Sequence, residues 1–232
     1  MDPKREHIFY FDYLRIIAAI SVIYMHVAAL PLREGITMQW QMMNICTSFA
    51  FTAVPLFFMM SGYLLLSSSK TSDITVLLKK RIPRLIIPLI GWTIVAAIWL
   101  AFSGHNFTVQ TITDQLVSAL NTPVMIHFWY MYTIIALYLI SPLLYGAIHS
   151  LDKKGHIYVL ILIGLVSLKT ILQVLLPSQI SVFTNIDFIT KIEFFGGHLC
   201  TFILGYYLGS IERKIPNWIL LTIAALTFGT II

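Results

Sequence analysis

The 232-residue chain is 58% hydrophobic and only 11% charged, with a mean hydropathy of +0.85. A soluble domain carries about 25% charged residues, so the composition excludes a soluble globular protein and points to one membrane-embedded helical domain over residues 1–232. In such a chain the net charge of +5 reports on topology, not on nucleic-acid binding.

A membrane-crossing helix needs about 20 mostly apolar residues. Seven segments qualify, at roughly 11–31, 45–67, 83–103, 125–147, 157–176, 192–210 and 217–232, which predicts an all-α, polytopic bundle. The first follows Lys4 and Arg5, as a signal peptide would. It is too long and too aromatic for one, and the stretch after His26 is a poor cleavage site, so it reads as an uncleaved helix.

That first segment carries Arg15 and His26. Charged and titratable groups inside a membrane are costly and by default mark function. Eleven steps of about 100° end roughly 20° past three full turns, so both side chains leave one face, about 16 Å apart along the axis. Asp12, three residues before Arg15, is placed to pair with it or to face headgroups.

The second segment returns with Ser61 and Gly62 near its end, a pair that also suits close helix packing. The third opens on Lys79, Lys80, Arg81, Ile82, Pro83 and Arg84. Pro83 suits the first turn of a helix. Arg81 and Arg84, three apart, share a face and suit phosphate recognition, although a basic loop also serves as a plain headgroup anchor. The fourth begins at His127, beside Trp129 and Tyr130, where an aromatic belt is the alternative role. Lys169 lies inside the fifth and His198 inside the sixth. His7, His105, His149 and His156 fall in flanks or loops and are read as solvated.

If the seven helices alternate, 12 of the 15 basic residues fall on one side, including Arg15, Arg81, Arg84, Lys153 and Arg213. The positive-inside rule then puts the N-terminus in the cytoplasm. Arg15, Ser61, Arg81 and Arg84 converge on the cytoplasmic rim. His26, His127 and His198 each lie within roughly 10 Å of the outer surface. The three histidines have no ligand spacing, so no metal site is expected. Cys46 and Cys200 both lie in apolar segments and read as buried, inert thiols. The seventh segment runs into Ile232 without a polar anchor, which reads as truncation.

These motifs resemble the membrane-bound acyltransferase-3 family, which includes bacterial O-acetyltransferases of surface polysaccharides. The resemblance rests on four features. Asp12, Tyr13, Leu14 and Arg15 are followed by His26. Val54 to Tyr63 includes Ser61 and Gly62. Arg81 and Arg84 are paired. The run from His127 to Tyr130 leads on to Ser141 and Pro142. The layout is similar to that of O-acetyltransferases acting on enterobacterial common antigen. The resemblance implies about ten helices in all, a bacterial cytoplasmic-membrane location, a catalytic pair at Arg15 and His26, and an acyl-coenzyme A contact at Arg81 and Arg84.

The expected chemistry is O-acylation. Acyl-CoA, by family habit acetyl-CoA, would bind from the cytoplasm at Arg81 and Arg84 beside Ser61. His26 would act as general base or as a covalent acyl carrier. A surface glycan or lipid-linked sugar would enter near His127 and His198. Two alternatives stay open: a transporter or flippase of a polar solute, which buried Arg and His suit equally, and the membrane half of a vancomycin-resistance-type serine racemase.

Overall fold

A computed structural model describes residues 9–28, 38–104, 107–175 and 187–211, with the side chains of Gln39 and 169–196 left aside. The described residues are mostly helical, with no strand among them. They form two compact units, one taking residues up to Leu64 and from Asp152 onward, the other residues Leu65–Leu151.

The first unit holds α1 (Phe9–Ala28), α2 (Met38–Ala50) and most of α3 (Ala53–Leu66), then α8 (Lys153–Leu175) and α9 (Asp187–Gly209). α2 starts well before the predicted boundary at 45. Gln39, Gln41 and Asn44 lower the local hydropathy, and of these the two glutamines are good helix formers. Between α2 and α3 the helix is interrupted at Phe51 and Thr52, and the Thr52 hydroxyl donates to the Phe49 carbonyl at 2.7 Å. Pro55 falls in the first turn of α3, where its missing N–H costs nothing.

α1 meets α2 through the Tyr24 hydroxyl, 3.5 Å from the Met43 carbonyl, and meets α3 through an edge-on contact of Phe11 with Tyr63 at 5.6 Å. α3 and α9 approach backbone to backbone. A Cβ on Gly62 would overlap the Phe202 carbonyl, and one on Gly205 would overlap the backbone of Met59. Small residues allow such an approach, and packing of this kind holds helices together in lipid.

The second unit runs through a 3-10 turn (Ser69–Thr71), α4 (Ile74–Val76), a π-helical turn (Leu77–Arg81), α5 (Pro83–Ser103), α6 (Val109–Ser118), a second 3-10 turn (Ile126–Phe128) and α7 (Trp129–Ser150). Asp73 caps α4 by accepting from the N–H groups of Thr75 and Val76 at 2.8 and 3.2 Å. Ile82 donates five residues back to the Leu77 carbonyl at 2.9 Å. The wide turn suits the site, because the Pro83 ring would crowd the Lys79 carbonyl in a regular helix. α5 then begins at Pro83, as its sequence position predicts.

Pro142 sits inside α7 and cannot bond the Tyr138 carbonyl. Ser141, fully buried, donates to that carbonyl at 2.7 Å and satisfies it. Side-chain rescue of this kind lets proline persist in membrane helices. Ser141→Ala should lower thermal stability in detergent by about 1–2 kcal/mol and leave substrate affinities unchanged; an unaltered unfolding midpoint would remove the role.

Four helical stretches are long and apolar enough to cross a membrane: Phe9–Ala28, Trp40–Leu66, Ile74–Ser103 and Ile126–Ser150. α8 and α9, 23 residues each, occupy the fifth and sixth predicted positions. The seventh predicted segment, 217–232, lies outside the described residues. The helical membrane class therefore stands, while the described residues supply four clear crossings against the seven expected.

Candidate functional site

α1 is one unbroken helix, so the phase predicted for Arg15 and His26 applies along its length. Both side chains are exposed. Arg15, Ala19, Val22 and His26, at i, i+4, i+7 and i+11, form one stripe. Buried Phe11 and Ala18 border it on one side, and exposed Ile16, Ile20, Ile23 and Val27 on the other. The stripe therefore runs along the seam between the packed face of α1 and its outward apolar face. Only the short side chains of Ala19 and Val22 stand between cation and imidazole. Arg15 Nη1 lies 3.0 Å from Asp12 Oδ1, an ion pair across one turn that orients the guanidinium.

Ser61, on α3, is partly exposed and precedes Gly62 at the close crossing with α9. The packing role weighed for this pair is thus present at Gly62. His198, on α9, is exposed, with its ring 4.8 Å from that of Phe58. An apolar cavity of about 200 Å³ opens beside α1, α3 and α9, lined by Tyr10, Phe11, Leu14, Met59, Tyr63 and Gly205 among others. Neither Arg15 nor His26 lines it.

In the second unit, Arg81 ends the π-helical turn and Arg84 follows in the first turn of α5. Arg84 is exposed, with Lys79 and Lys80. Arg81 is partly buried and donates from Nη1 to Thr71 Oγ1 at 2.7 Å. Thr71, fully buried, in turn donates to the Leu65 carbonyl. His127 is exposed in the second 3-10 turn and packs edge-on against Phe128 at 4.7 Å.

Two residues differ from expectation. His156 is not a solvated flank residue: it is half-buried, with Nδ1 2.9 Å from the Tyr207 hydroxyl, which ties α8 to α9. The two lie 51 positions apart, and no local pattern links them. Cys46 is exposed and not buried, because it sits on the outward side of α2 opposite buried Thr47 and Ser48; Cys200 is half-buried, and both thiols are free.

Across residues 8–232, almost the whole chain, the sequence matches the acyltransferase-3 family, described as an acyltransferase domain. No curated protein and no solved structure matches it.

Proposed function

The chain belongs to the acyltransferase-3 family, and from that premise we propose that this membrane acyltransferase moves an acyl group, by preference acetyl, from cytoplasmic acyl-CoA to a hydroxyl of a cell-envelope sugar or lipid-linked glycan. One observation carries the reading: within the matched residues, Arg15 and His26 leave one exposed stripe of α1 with only Ala19 and Val22 between them.

Arg15 and His26, about 16 Å apart along the axis, are too distant to act on the same carbonyl. They therefore divide the work. Arg15, oriented by Asp12, binds the anionic end of the donor. The slender pantetheine arm follows the stripe past Ala19 and Val22. At its tip His26 takes the proton from the acceptor hydroxyl. The hydroxyl oxygen attacks the thioester carbonyl, and a tetrahedral oxyanion forms. On its collapse the C–S bond breaks and an ester remains. The proton on His26 passes to the departing thiolate, which leaves as free CoA. His127 and His198 meet the acceptor from the outer side, the N-terminus lying in the cytoplasm.

Arg81 and Arg84 bind the donor's phosphates, the chemistry to which a guanidinium fork is matched. Arg84 is exposed and its replacement removes no packed group. Arg84→Ala should therefore raise the KM for acyl-CoA by about tenfold or more, from the roughly 1.5–3 kcal/mol of a hydrogen bond to a charged group, with kcat little changed. A fall in kcat at constant KM would place Arg84 elsewhere in the cycle.

A further inference from the structure

Arg81 is not an ordinary surface cation. Its guanidinium is hydrogen-bonded at 2.7 Å to a threonine that has no exposed surface. Thr71 lies ten residues earlier in the chain, in the 3-10 turn that precedes α4. Its hydroxyl has one proton and two lone pairs. The proton goes to the Leu65 carbonyl, so the oxygen is oriented to accept from Arg81. A valine of the same shape could make neither bond.

The backbone reinforces this arrangement. The Leu65 carbonyl also accepts from the Ser68 N–H at 3.1 Å, and the Ser68 carbonyl accepts from the Thr71 N–H at 2.9 Å. Thr71 is thus fixed through both main chain and side chain. On the other side, the π-helical turn Leu77–Arg81 sets the direction in which Arg81 leaves the chain. A free arginine side chain has about 2 kcal/mol of rotamer entropy to lose on binding. One already tethered has lost part of it, and preorganisation of this kind improves affinity without any new contact to the ligand.

We infer that Thr71 is a positioning residue for the acyl donor: it holds the Arg81 guanidinium in the orientation that receives a phosphate of acyl-CoA. The inference rests on the proposed donor role of Arg81. Thr71 touches no substrate and acts only through Arg81.

The test is steady-state acyl transfer with acetyl-CoA as the varied substrate, on membranes containing the full protein. The variants are Thr71→Val, Thr71→Ser and Arg81→Ala. Thr71→Val is expected to raise the donor KM about tenfold with kcat within twofold of the parent, and Thr71→Ser to return KM to near the parent value. In the double variant Thr71→Val with Arg81→Ala, KM should be no higher than in Arg81→Ala alone. If Arg81→Ala raises KM but Thr71→Val does not, the positioning role is wrong and the donor role of Arg81 stands. If Arg81→Ala leaves KM unchanged, the donor reading of Arg81 falls, and this inference falls with it. Should the valine variant not fold, Thr71→Ala carries the same expectations, because it removes the hydroxyl without adding bulk.

Discussion

Replacing His26 with alanine is expected to reduce acyl transfer by about 10²–10⁴-fold, the usual contribution of a positioned general base. The amount of folded protein should not change, because the side chain is exposed on the seam of α1 and lies outside its buried set. The KM for the donor should also hold, since the cations proposed to bind its anionic end lie elsewhere. His26→Gln should be as inactive as His26→Ala: it keeps a polar side chain but cannot take up a proton at neutral pH. A glutamine variant with near-parent kcat would show that His26 only orients a substrate. Transfer unaffected by either change would remove His26 from the chemistry altogether.

Gly62→Val is expected to be among the most damaging single changes in the chain, by a different route. A Cβ at Gly62 would overlap the Phe202 carbonyl, which is main chain and cannot rotate aside. Phe202 is itself fully buried, so α9 has little freedom to retreat. Forcing bulk into a packed interior typically costs about 1–3 kcal/mol and sometimes more, and a backbone clash belongs at the upper end. The variant should show a lowered unfolding midpoint and loss of the monodisperse species in detergent. Gly164→Ala is the control. No neighbour stands within 4 Å of its Cβ position, and alanine favours helix by up to about 1 kcal/mol over glycine. The two substitutions should thus move stability in opposite directions. Equal stability of both would mean that α3 and α9 do not cross at Gly62.

The sequence shows some of this clearly, for identifiable reasons. The phase of Arg15 and His26 depends only on helical period within one segment, and α1 is continuous as that period requires. The start of α5 at Pro83 follows from proline's missing donor. Features decided by distant partners were not legible. Gly62 meets Phe202 and His156 meets Tyr207 across stretches with no shared local pattern. The bond from Arg81 to Thr71 depends on a π-helical turn, which hydropathy does not register. α6 falls between the third and fourth apolar segments: its ten residues are too few to span, and Gln110, Asp114 and Gln115 hide its apolar positions from a long window. Of the seven apolar segments, the first four coincide with stretches long and apolar enough to cross a membrane, the fifth and sixth coincide with 23-residue helices, and the seventh lies outside the described residues.

The central claim is transfer of an acyl group from a CoA thioester to a hydroxyl acceptor across this membrane domain. The most direct measurement incubates membranes containing the protein with acetyl-CoA labelled in the acetyl group, together with a cell-envelope extract, and follows the label. The account predicts that label enters a glycan or lipid-linked sugar fraction, that mild base releases it as expected of an ester, that free CoA appears in equal amount, and that none of this occurs with the His26→Ala protein. Label entering that fraction equally with the His26→Ala protein, or no CoA released by either protein at equal expression, would contradict it.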